Sequence, residues 1–163
     1  MKSIIKIFIY TFIIALVVRV FIIDTFVVQG DSMEPTIHDG DLVVINRLAY
    51  VGKIPKRGDI VVVEPRNSYK KVIKRIIGLP GEKISMLDDG TIKINAGEEN
   101  KDLFLNEPYI IKQSKGSSTE MLYETLDPKE YLIFGDNRDK SVDSKEFGAI
   151  DSWDIKGKVF LSI

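Results

Sequence analysis

The chain has no cysteine, so disulfide frameworks, thiolate metal sites and a cysteine nucleophile are all excluded. Its single histidine, His38, excludes a metal cluster built on several histidines and leaves a Ser–His–Asp triad one residue to draw on. Neither sign of charge dominates. With 23 basic and 24 acidic side chains the formal net charge is -1, so no overall field draws nucleic acid, and no nucleic-acid partner is expected. Repeats and low-complexity tracts are lacking too. Chemistry must therefore come from hydroxyl, carboxyl and amine groups on 163 residues, a length that suits one compact domain.

What the chain does have begins with an apolar run. From Ile4 to Ile23 only Lys6 and Arg19 are charged, and about 20 apolar residues is the length of a helix that crosses a bilayer. Lys2 and Lys6 at one end and Arg19 near the other can reach headgroups. Between Val20 and Asn46 there is no Lys or Arg, while Asp24, Asp31, Glu34, Asp39 and Asp41 occur, so the positive-inside rule puts the N-terminus in the cytoplasm. Residues 1–23 then read as a cytoplasmic tip and single-pass membrane anchor, and residues 24–163 as an extracytoplasmic domain. A cleavable leader is the competing reading, with Val28-Gln29-Gly30 as a weak cleavage match. Arg19 and Asp24 interrupt its apolar run, and the cut would fall two residues before Ser32.

After Asp24 short β-branched runs alternate with turn residues: Leu42–Ile45, Ile60–Glu64, Val72–Ile77, Ile84–Leu87, Tyr131–Phe134 and Lys158–Ile163. Asp39-Gly40, Arg57-Gly58-Asp59 and Pro80-Gly81 punctuate them, and Asp89-Gly90 sits before Thr91–Ile94 as a hairpin turn. The pattern predicts a mainly β, barrel-like domain behind one N-terminal transmembrane helix. The more polar stretch 96–127 reads as a small inserted β excursion.

Three segments carry candidate chemistry. Gln29 to Thr36 follows the apolar run Thr25–Val28, which places Ser32 in a turn stiffened by Pro35 at a strand end; no helix follows, so it is not a nucleophile elbow. In Val72–Ile77 the strand period sets Lys74 on the face of Val72 and Ile76, where desolvation would lower its pKa and make it a base for a serine hydroxyl. A lysine whose stem packs while its head reaches water satisfies the same pattern. Gly135 to Ser144 follows an apolar strand and is dense in short hydrogen-bonding side chains. Its spacing is not that of an EF-hand, and Arg138 and Lys140 oppose a cation, so no metal is expected there.

Together these segments resemble the bacterial type I signal peptidases, the membrane-bound Ser–Lys proteases of secretion, in a compact Gram-positive-like form. Gly30 to Thr36 is similar to the family's nucleophile box, Arg57 to Val62 to a structural strand box, Lys74 to Glu82 to the general-base box and Gly135 to Gly148 to the final box, in that order and over nearly the whole chain. The resemblance implies a serine endopeptidase without cofactors. Ser32 is its nucleophile and Lys74 its general base, Ser141 orients the Lys74 amine by a hydrogen bond, Asp143 supports that loop, and Asp136 with Arg138 shapes it through ion pairs. Gly30 stands where many members carry a hydroxyl that helps bind the oxyanion, which leaves the Ser32 backbone N–H. Lys140 and Lys145 stand where the family usually has Asn and Arg, and a lysine cannot make a guanidinium's bidentate pair.

The implied substrate is the signal peptide of an exported preprotein, laid along the strand of Phe26 and Val28 with small residues one and three before the cut. Phe26, Val28 and Gly30 share a face. By resemblance Met33, Ile37, Val43, Val62 and Ile73 join them in shallow pockets, although ordinary core is an equal reading for Val43 and Val62. The lipid bilayer and the secretion translocase are the other partners implied. Alternatives are a self-cleaving Ser–Lys repressor, which requires a DNA-binding domain before Ser32 that is not there, and a tethered relative that binds exported chains without cutting them, which rests on Lys140 and Lys145. Ser68-x-x-Lys71 matches another serine-enzyme motif without its partner motifs.

Overall fold

A computed structural model describes residues 2–66, 70–87, 90–95, 102–110, 121–123 and 125–163. In chain order the elements are α1 (Lys2–Phe21), β1 (Ile23–Val27), β2 (Leu42–Asn46), β3 (Ile60–Val63), β4 (Val72–Gly78), β5 (Lys83–Met86), β6 (Ile92–Asn95), β7 (Asp102–Phe104), β8 (Met121–Tyr123), β9 (Glu130–Phe134), α2 (Ser144–Phe147), β10 (Ile150–Asp151), a 3-10 turn (Ser152–Asp154) and β11 (Ile155–Ser162).

The chain is mainly β, as its β-branched runs predict. Seven strands form an antiparallel sheet in the order β1-β2-β11-β3-β4-β9-β10, and four more form a smaller one in the order β7-β6-β5-β8. The barrel-like expectation is not met as a closed ladder: β1 and β10 lie at opposite ends of the order, and among the described residues neither pairs with the other. The smaller sheet joins β7 and β8, which lie within 96–127, to β5 and β6, which precede it. Gly90 takes φ +82° where a hairpin turn was expected, and the Leu87 N–H donates to the Thr91 carbonyl across it; Asp89 lies outside the described residues, as does Ser68.

Three apolar clusters explain the stacking. Val28, Met33, Ile37, Val43, Ile45, Val62, Ile73 and Val159 fill one face of the large sheet, and Val61, Val63, Ile76, Tyr131, Ile133 and Ile150 the other. Ile77, Leu132 and Phe134 pack with Ile84, Met86, Ile92 and Ile94, which fixes the small sheet to β4 and β9. Strand β4 is therefore buried from Ile73 to Gly78 with none of the alternation of a half-exposed strand, and any charge it carries must be desolvated. Arg57 reinforces this end of the sheet by donating to the Ile77 carbonyl and pairing with Glu82.

Helix α1 spans 20 residues, with side chains described from Ser3 to Leu16, all of them exposed. Among the described residues no helix is long and apolar enough to cross a membrane.

Strand β11 crosses from β3 to β2 with a bulge between Ile155 and Gly157, and at Gly157 a Cβ would stand 2.7 Å from the Asn46 carbonyl oxygen and 2.7 Å from Ile45 Cγ2. Backbone cannot yield as a side chain can, so Gly157→Ala should destabilise the domain by about 1–3 kcal/mol, read as a lower urea midpoint with an unchanged slope.

Candidate active site

The loop after β1 is anchored by its own apolar residues. Met33 and Ile37 are fully buried, and the Thr36 and Ile37 N–H groups donate to the Met33 carbonyl, so Ser32 is held half-buried on the turn between β1 and that plug. Gly30 adopts φ +99°, a conformation side chains rarely take, and its N–H donates to Asp39 at 2.7 Å.

Strand β4 brings Lys74 to this loop. Its Nζ lies 2.7 Å from Ser32 Oγ and donates to the Ile73 carbonyl at 3.0 Å, while the residue is only 3 % exposed. Desolvation holds the ammonium form down against the attraction of Asp143 and Asp136, and the pKa falls from 10.5 to about 8. The contact therefore joins a hydroxyl to an amine whose pKa lies well below that of a free lysine. His38 is exposed and lies 3.7 Å from Asp41. Among the described residues it makes no hydrogen bond to Ser32.

The loop 135–144 closes the site from the other side. Asp143 caps α2 through the Lys145 N–H and accepts from the Gly135 N–H at 3.0 Å. A Cβ on Gly135 would stand 2.3 Å from Ser141 Oγ and 2.4 Å from the Ser32 carbonyl oxygen, so only glycine lets these parts meet. The expected bond from Ser141 to the Lys74 amine is not made. Ser141 Oγ is buried and has no hydrogen-bond partner among the described residues, and the amine's contacts go to Ser32 and Ile73. Asp136 and Arg138 each make an ion pair, with different partners. Asp136 takes a bidentate pair from Arg75, at 2.8 Å from Nε and 2.5 Å from Nη2, together with the Thr36 hydroxyl, whereas Arg138 pairs with Glu107 and donates to the Gly135 carbonyl. Arg75 lies over the Tyr109 ring at 3.9 Å, and the Tyr109 hydroxyl donates to Glu107 at 2.7 Å. The excursion thus sends Glu107 and Tyr109 into the support of the site, through an acid and an aromatic far along the chain that no local motif marks. Lys140 pairs with exposed Asp31, and Lys145 donates from Nζ to the Arg138 carbonyl.

Beside Ser32 and Lys74 runs a groove of about 180 Å³, lined by Phe26, Val28, Met33 and Ile73 together with Val27, Gln29, Lys71 and Val72. Ile37, Val43 and Val62 do not line it; at 0–1 % exposure they are core beneath its floor. Among the described residues no three His, Asp or Glu side chains converge to hold a metal.

The Lys74 amine should titrate near pH 8, as ammonium below and neutral above, when followed by NMR of the labelled side chain in the full chain. A midpoint near the free value of about 10.4 would mean that burial does not act on this amine.

The matching family model is described as signal peptidase, peptidase S26, and covers residues 1–163. Signal peptidase I of Bacillus licheniformis is 36 % identical over 162 residues, spanning 94 % of this chain and 83 % of that protein. Signal peptidase IB of Staphylococcus aureus is 34 % identical over 160 residues, spanning 91 % and 81 %. The crystal structure of a signal peptidase I from Enterococcus faecalis V583 superposes with a TM-score of 0.54 at 28 % identity, over 66 % of this chain and 98 % of that one. On sequence, over nearly its full length, and on fold, the chain belongs to the signal peptidase family, peptidase S26.

Proposed function

We propose that the chain is a serine endopeptidase that removes signal peptides from exported preproteins, with Ser32 as nucleophile and Lys74 as general base. The observation that carries the residue assignment is the 2.7 Å contact between Lys74 Nζ and Ser32 Oγ at the end of an apolar groove. The neutral amine takes the hydroxyl proton as Oγ attacks the scissile carbonyl, then passes it to the leaving amine, and water hydrolyses the ester left on Ser32. The Ser32 N–H faces the developing oxyanion.

The substrate lies extended beside β1, which ends the strand order of the large sheet, and contacts Phe26 to Gln29 on one side and Lys71 to Lys74 on the other. A groove of about 180 Å³ is below the ~300–1,000 Å³ of pockets for drug-sized ligands, which favours small side chains before the cut. Asp143, Asp136, Arg138, Ser141 and Gly30 act in support. Asp143 and Arg138 hold the Gly135 loop, and Ser141 Oγ becomes a partner for the amine once Ser32 Oγ is acylated.

Helix α1 is the membrane anchor in this reading, with its N-terminus cytoplasmic and residues 24–163 outside, beside the translocase. Its support is a row of exposed apolar side chains, Phe8 and Phe12 among them, which bilayer hydrocarbon solvates better than water. The cleavable-leader reading fares worse. A cut after Gly30 would remove β1 together with Val28, which is buried in the core and donates to the Asp41 carbonyl.

Ser32→Ala and Lys74→Ala should each lower preprotein cleavage by at least about 10³-fold, and the double variant no further, with circular dichroism unchanged. Turnover retained in either variant would refute the dyad. Protease added outside intact cells should cut the chain after Asp24; cutting confined to inverted vesicles would reverse the topology.

A further inference from the structure

Asn137 sits in the loop 135–144, is 8 % exposed, and reaches the nucleophile from 105 positions along the chain. Its backbone N–H donates to the Ser32 carbonyl at 3.1 Å, and its side-chain Nδ2 donates to the Asp31 carbonyl at 3.1 Å. One residue thereby holds the peptide groups on both sides of the nucleophile. Only a donor suits the side-chain position, since the amide turned over would set oxygen against oxygen.

The second of these bonds bears on chemistry through the planarity of the peptide unit. The Asp31–Ser32 bond is trans, so the Asp31 carbonyl and the Ser32 N–H share one rigid plane and point in opposite directions. Fixing the carbonyl toward Asn137 fixes the N–H away from it. That N–H has no acceptor among the described residues, although a buried or half-buried donor is ordinarily paired. With Gly30 offering no side-chain hydroxyl beside it, the oxyanion rests on how well this single N–H is aimed.

We infer that Asn137 is a positioning residue for the oxyanion: its side-chain amide, by holding the Asp31 carbonyl, aims the Ser32 N–H at the charge that develops during attack. This rests on the peptidase reading above, in which Ser32 attacks the substrate. Asn137 makes no hydrogen bond to Oγ or to the Lys74 amine, so its contribution should appear in the transition state and leave ground-state binding and the titration of the base alone.

The test uses the full chain in detergent with a signal-peptide substrate. In Asn137→Ala, kcat should fall about 10²-fold while KM stays within about threefold, the usual scale for a lost oxyanion donor, and the acidic limb of the rate profile should stay where Lys74 sets it. Affinity for a substrate-like peptide boronate, whose adduct on Ser32 presents an oxygen to the N–H, should fall by a similar factor, and affinity for the same peptide ending in an amide should not change. If the alanine variant does not fold, Asn137→Asp keeps the side-chain volume, cannot donate at pH 8 and should show the same split. Full kcat in either folded variant overturns the inference, as do equal losses of boronate and amide affinity or a displaced acidic limb, which would mark a merely structural role. Ser32→Ala separates the two levels: if it is inactive while Asn137→Ala is fully active, only this inference fails, and if it cuts at the parent rate the peptidase reading fails with it.

Discussion

Strand β4 carries two consecutive cations into a sheet that leaves almost no water around either, and the site follows from how differently the two are met. Arg75 finds a carboxylate. Burial pulls against its charge, but the bidentate pair with Asp136, with Tyr109 and Glu107 nearby, outweighs this and holds its pKa above the ordinary value. Lys74 finds a hydroxyl and a carbonyl. No carboxylate bonds its amine, so desolvation prevails and the pKa drops to about 8. One strand thereby makes a permanent structural charge and a titrating base from neighbouring residues, and the choice lies in the partners supplied by the loops.

The permanent charges tie those loops together. Arg75 joins β4 to Asp136 and to Thr36 of the nucleophile loop, while Arg138 joins the final loop to Glu107 of the excursion. Buried pairs of this kind add little net stability over well-packed apolar residues, yet losing one partner costs about 3–5 kcal/mol because a charge is left alone. They act here as registration: the loop of Ser32, the strand of Lys74 and the loop 135–144 arrive from three parts of the chain and are held together by these pairs. Gly135 shows how closely, since the space for one methyl group is already filled by Ser141 and the Ser32 carbonyl.

The groove depends on the same segments. Its walls are the edge strand β1 and the start of β4, which lead to Ser32 and Lys74, so in the function proposed above a substrate laid between them passes both side chains. Ile37, Val43 and Val62 share one core cluster with the groove-lining Val28, Met33 and Ile73.

Much was legible in the sequence because local rules decided it. The β-branched runs at 42–45, 60–64, 72–77 and 131–134 became β2, β3, β4 and β9, since strand propensity and flanking turn residues act over a few positions. The box order marked Ser32, Lys74 and the final loop as one unit, and the scarcity of cysteine and histidine narrowed the chemistry before any contact was known. What tertiary structure alone decided is pairing: Asp136 with Arg75, Arg138 with Glu107, Asn137 with two carbonyls around Ser32, and Ser141 Oγ with no hydrogen-bond partner among the described residues. It also decided that β4 is covered on both sides, so that Lys74 is stripped of water by whole sheet faces and not by Val72 and Ile76 alone. A sequence fixes which groups are present and which way a strand alternates, but a hydrogen bond or a desolvation depends on what folds in from a hundred residues away, and no local pattern encodes that distance.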